Sequence, residues 1–155
     1  MKKLAFPALA ALALVGCYAD DPLPPPPEKT VITGDLDVDI REKAHVELTT
    51  VGTDVTVSVS LTKGYGIAPA ASEIKGTARV EAFPEADLTL YTARLDAPAD
   101  PSGPCGMNPV SLALSLHRRG KDAHVGGSLT AYCGAGVSHG TPARLLRLAG
   151  DMPLK

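Results

Sequence analysis

The chain reads as all-β: a single antiparallel β-sandwich or a small up-and-down barrel of seven to eight strands. Three observations predict this. From Val31 onward apolar and polar residues alternate with a period of two, the spacing of a strand with one buried and one wet face. The alternating runs are joined by short stretches that contain Gly, Pro, Asn and Asp, whereas parallel strands need long crossovers. Seven or eight such runs fit into the roughly 125 residues available, the size of one sandwich or small barrel.

The elements follow in order. Leu36, Val38 and Ile40 alternate with Asp35, Asp37 and Asp39, and Val46 and Leu48 with His45 and Glu47. Val55, Val57, Val59 and Leu61 alternate with Thr56, Ser58 and Ser60. Ala78, Val80 and Ala82 alternate with Arg79 and Glu81. Asp87–Leu95 is a strand whose phase changes between Leu90 and Tyr91, which predicts a bulge. Val110, Leu112, Leu114 and Leu116 form the next apolar face. Ala123–Cys133 pairs back across a turn at Arg118–Asp122, and its Gly126-Gly127 predicts a bend or a close backbone approach. Thr141–Gly150 is open between two readings. Thr141, Pro142 and Gly150 suit the N-cap, first turn and C-terminal cap of a short helix; the preferred reading is an eighth strand that closes the sheet. No internal repeat is apparent.

The N-terminal segment has a different character. Lys2 and Lys3 precede a continuous apolar run from Leu4 to Val15, and Leu14-Val15-Gly16-Cys17 closes it. A basic start, an apolar run too short to span a bilayer, and small residues at the end have the layout of a secretory signal. The tetrapeptide resembles the lipobox of bacterial lipoprotein signal peptides. The resemblance covers residues 1–17 only. It implies cleavage between Gly16 and Cys17, with Cys17 lipidated as the first residue of the mature protein and the membrane engaged through that anchor. Tyr18 follows the cysteine where an inner-membrane lipoprotein of the enteric type carries aspartate, so the resemblance implies the outer membrane, facing the periplasm or the cell surface. Two or three acyl chains, each methylene contributing roughly 0.8 kcal/mol, make such an anchor effectively permanent.

Three regions result: residues 1–16 as signal, residues 17–30 as lipidated cysteine and linker, and residues 31–155 as the β domain. The linker holds five prolines between Pro22 and Pro27. Proline at that density excludes helix and sheet interior and favours polyproline II, about 3.1 Å per residue. A spacer of up to about 40 Å is the expectation; a proline-rich ligand for a partner domain finds no arginine flank in its support.

Removing Lys2 and Lys3 with the signal leaves 13 basic residues against 17 acidic, a net charge of −4. No basic patch points to nucleic acid. Aromatic residues are 4% of the chain and Trp is absent, so the core is built from Val, Leu, Ile and Ala, and the stacking platforms of carbohydrate or single-stranded nucleic-acid sites are missing.

With Cys17 assigned to lipid, Cys105 and Cys133 remain, and an exported pair is expected to bridge. They stand at nearly equal distances from the Gly120 turn, so the hairpin brings them together at its open end. The loop they close is worth about 3.5 kcal/mol in the chain-entropy account. Neither a CxxC spacing nor further thiols suggest redox or metal chemistry.

Three constellations suggest chemistry and fail. Gly136-Val137-Ser138-His139-Gly140 matches the G-x-S-x-G nucleophile elbow, but that site needs a parallel sheet and a histidine after the acid; Asp151 is the last acid and no histidine follows His139. Ser138, His139 and Asp151 would be the candidates of any enzymatic reading. Asp35, Asp37 and Asp39 have Ile40 and Val46 where a calcium loop needs glycine and glutamate, and read as an outer face or a guarded edge. His117 and His124 are placed opposite each other across the turn, half of a metal site, with Arg118, Arg119 and Lys121 beside them to repel a cation. His45 and His139 cannot be placed near them. No catalytic residue, metal or cofactor is expected. The expected role is a non-enzymatic interaction or structural module whose partner is another envelope protein. The alternative is a lipocalin-like carrier of a small apolar ligand.

Overall fold

The computed structural model describes residues 25–38, 42–68, 72–120, 123–136 and 141–153. Gly16, Cys17, Asp39, Lys121, Ser138 and His139 lie outside them. The alternation becomes eight strands: β1 (Lys29–Val38), β2 (Glu42–Val51), β3 (Asp54–Leu61), β4 (Glu73–Phe83), β5 (Leu88–Ala97), β6 (Val110–Arg119), β7 (His124–Cys133) and β8 (Arg144–Asp151). Each pairs antiparallel with its sequence neighbour, and β8 pairs with β1. Of the two architectures expected, the closed up-and-down barrel is the one formed. The C-terminal segment is a strand, and β1 begins at Lys29, inside the stretch read as linker.

Closure sets the shape. The pairing can be followed from Val38 to Leu148, Gly127, Leu116, Tyr91 and Val80. With the β3 and β2 registers carried on, it returns to β1 about ten residues nearer its start, the stagger of a tilted barrel. One rim, the upper, holds the start of β1, the end of β8 and the short turns β2–β3, β4–β5 and β6–β7. The lower rim holds the longer β3–β4, β5–β6 and β7–β8 connections.

One set of alternate residues fills the lumen. Leu36, Leu48, Leu112, Leu116, Leu129 and Leu146 are fully buried there. Both rims are plugged by residues outside the strand pattern. Ile67 and Ala68 of the β3–β4 connection join the core from below. Met152 enters from above, where its N–H donates to the Ala123 carbonyl at 2.9 Å and its carbonyl accepts from Arg118 Nε at 3.2 Å. Apart from a few apolar residues such as Leu88, Leu90 and Leu145, the outward set is mainly charged or hydroxylated, the reverse of the apolar-out alternation of a membrane barrel. Asp35 and Asp37 lie on this wall, directly opposite His45 and Lys43, and pair with them.

Two local expectations are corrected. The β5 strand carries no bulge: its register with β4 and with β6 is unbroken. Leu88 and Leu90 simply face outward, half-buried beside Phe83 and His117, so the phase change reflects an apolar outer pair and not an extra residue. His117 and His124 are not opposite each other. The turn sets Arg119 against His124 and His117 against Gly126. The imidazole of His117 lies over Gly126, while His124 Nδ1 is 3.2 Å from Asp151 Oδ1.

The close approach expected at Gly126-Gly127 is present. A Cβ at Gly127 would sit 2.2 Å from the Ser115 carbonyl oxygen and 2.8 Å from Leu116 Cδ2. Backbone cannot yield as a flexible side-chain end does, so Gly127→Ala is expected to destabilise the barrel by about 2–3 kcal/mol. A urea unfolding midpoint that falls with unchanged slope checks it.

Candidate functional surfaces

The lower rim is where the sequence-predicted thiols meet. Cys105 and Cys133 form a disulfide with Cα atoms 5.2 Å apart. Their route differs from the hairpin register: Cys133 stands opposite Val110, the first residue of β6, and Cys105 reaches it from the preceding connection. That connection is a succession of tight turns, with N–H donors of Gly103, Gly106 and Asn108 bonded to the carbonyls of Asp100, Gly103 and Cys105. Asp100 Oδ1 accepts from Ser102 N at 3.0 Å and Ser102 Oγ at 2.6 Å, a local turn motif of short polar side chains. The β3–β4 connection crosses it so closely that a Cβ on Gly103 would lie 1.9 Å from the Gly66 carbonyl oxygen. The bridge and this crossing hold a lid of backbone over Ile67 and Ala68.

Buried apolar side chains face the lumen from Met152 to Ile67, and two concavities lie on the outer wall. The larger, about 590 Å³, runs over the outer wall of β4–β7. Its lining combines the small residues Ala113, Ser115, Ser128 and Thr130 with Arg79 and Arg94. Arg79 is shared with Glu81 at 2.9 Å. A second, about 400 Å³, lies over β2–β4 between Glu47, Thr56, Ser58 and Lys75. Thr77 belongs to both.

One arrangement escaped the sequence reading. His45 Nδ1 lies 2.7 Å from Asp35 Oδ1 and His45 Nε2 lies 3.3 Å from Thr33 Oγ1, an acid–imidazole–hydroxyl order. It assembles because the β1–β2 register sets Asp35 opposite His45. Thr33 is only 6% exposed, too covered to attack a substrate, and neither outer concavity includes it. The relay satisfies a buried hydroxyl. Among the described residues, no three His, Cys, Asp or Glu side chains converge on a metal position. Asp151 ends β8 on the upper rim, beside His124, whereas Gly136 and Thr141, which flank Ser138 and His139, lie at the lower rim.

No protein family, curated protein or solved structure matches this chain.

Two predictions follow from these surfaces. Replacing both bridge cysteines, Cys105→Ser with Cys133→Ser, frees a 28-residue separation and is expected to lower stability by about 3.5 kcal/mol, read by denaturant unfolding, with the strand signal in circular dichroism retained. On the outer wall Ser58 Oγ donates to Glu73 Oε1 at 2.8 Å; this bond, with Lys75 beside it, holds the Glu73 carboxyl below its ordinary value. The ionised form is the one favoured by folding, so this contribution is full above the usual carboxylate range and disappears as pH falls through the lowered value. Ser58→Ala is expected to move the Glu73 titration upward, measured by NMR of its side-chain carboxyl.

Proposed function

We propose that this chain is a lipid-anchored envelope protein, held to the outer membrane through Cys17, whose barrel acts as a non-enzymatic interaction or structural module. The observation that carries the reading is the pairing of the Leu14-Val15-Gly16-Cys17 signal with a barrel whose interior is filled. A carrier of the lipocalin kind needs volume inside its strands; here Leu36, Leu48, Leu116 and Leu129 occupy it. Recognition therefore belongs to the outside. The concavity over β4–β7 is the surface we assign to it, because among its lining residues Arg79, Arg94, Ser115, Ser128 and Thr130 can donate to the carbonyls and carboxylates of another envelope protein.

Intact mass of the chain made in a bacterial host tests the reading. The expected species begins at Cys17 and carries the added mass of two or three acyl chains; Cys17→Ala is expected to move the protein from the membrane to the soluble fraction. A native mass equal to the acylated polypeptide alone supports the module. Extra mass lost on denaturation supports the carrier, and an unacylated chain that is membrane-free overturns the anchor.

A further inference from the structure

The upper rim carries an apolar point that the fold does not use. The β4–β5 hairpin ends in Phe83-Pro84-Glu85-Ala86, where Pro84–Ala86 forms a single 3₁₀ turn closed by the Asp87 N–H on the Pro84 carbonyl at 3.1 Å. The inward side of β4 runs out of barrel here. Its described pairing with β3 ends at Ala78, and Val80, on the lumen side of the strand, is left 39% exposed. Phe83, the one phenylalanine beyond the signal, is 45% exposed at the tip. Val51, beside the neighbouring β2–β3 turn, is 41% exposed. The tip is not loose: the Gly120 N–H donates to the Asp87 carbonyl at 3.1 Å and ties it to the β6–β7 turn.

The position of the chain start says what this point faces. β1 begins on the same rim, and Pro27 enters it alongside the β2–β3 turn, 3.6 Å from where a Cβ on Gly52 would be. Cys17 precedes Pro25 by eight positions, a reach of at most about 25 Å at polyproline rise. The lower rim is a further barrel height away, roughly 25 Å for strands of ten residues tilted as barrel strands are. The chain toward Cys17 therefore leaves the barrel from the rim that carries the tip.

We infer that the Phe83-Pro84 tip of the β4–β5 hairpin rests in the headgroup layer of the membrane that holds Cys17, as a second, weaker contact that orients the barrel with its upper rim toward the lipid. This rests on the anchor reading above. Phenylalanine is among the apolar residues that interfacial segments bury at the boundary of headgroups and acyl chains. Glu85 and Asp87 bracket the turn and keep the contact shallow, since their carboxylates stay with water and repel an anionic surface. The lipid that suits the tip is thus zwitterionic.

The chain contains no tryptophan, so a single indole reports its own surroundings. Phe83→Trp and, on the lower rim, Met107→Trp (Met107 is 78% exposed) are made in the full chain and purified as the mature protein. Each is reconstituted on phosphatidylcholine vesicles with and without brominated acyl chains. The expected result is a blue-shifted emission at position 83, quenched about twofold or more by the brominated lipid, and an unshifted, unquenched emission at position 107. Acylated, vesicle-bound protein with both indoles equally unquenched overturns the tip contact and leaves the anchor standing. A purified chain without acyl mass overturns the anchor, and the tip contact with it.

Discussion

Everything in this molecule depends on the meeting of β8 with β1. Seven of the eight strand pairings join sequence neighbours and form hairpin by hairpin; only the eighth makes the sheet a barrel. Among the described residues that seam has two registered pairs, Asp37 with Ala149 and Val38 with Leu148. It is tight. A Cβ on Gly34 would sit 2.2 Å from the Asp151 carbonyl oxygen, and one on Gly150 would crowd Leu36. Glycine on both sides lets the two strands approach, and the approach carries Met152 over the upper rim into the core. Without the seam the lumen side chains would line an open sheet with water on its apolar face.

Closure also decides where recognition can happen. An eight-stranded barrel is just wide enough to be filled by its own side chains or to enclose one small ligand. In this chain the buried inward positions hold leucine, valine, isoleucine, alanine and Tyr91, with Ile67, Ala68 and Met152 closing in at the rims. The outer wall is then free to vary without cost to the core. Its ion pairs, Asp37 with Lys43 and His124 with Asp151 among them, are exposed, so each contributes little to stability.

Most of the fold is legible in the sequence because period two reports which face of each strand is buried. Val55–Leu61 and Val110–Leu116 show it plainly. The same signal is silent on whether the first strand meets the last, which is why sandwich and barrel stayed open. It misleads where apolar residues sit outside: Leu88 and Leu90 imitate a bulge. Register is the other blind spot. Among the described residues of the β6–β7 turn, Gly120 and Ala123 are left-handed, and a small shift of the turn's centre is enough to set His117 opposite Gly126 instead of His124. The Thr33–His45–Asp35 relay needs the β1–β2 register to be seen at all. Ile67 and Met152 lie in aperiodic segments, so their burial leaves no periodic trace. Cys17, on which the proposed anchor rests, lies outside the described residues, and that proposal is read from the resemblance to a lipobox alone.

The seam has a consequence for a chain that emerges from its N-terminus. β1 is complete long before β8 exists, and until then its outer edge has no partner. An unpaired strand edge is a template for another molecule's strand. The residues exposed on that waiting strand are Lys29, Asp35 and Asp37, with Lys43 on its neighbour: charges that make a foreign strand an unfavourable guest. The acidic alternation at the start of the domain is thus a feature of the unfinished protein as much as of the finished one. It guards the edge through the interval in which the barrel cannot yet close.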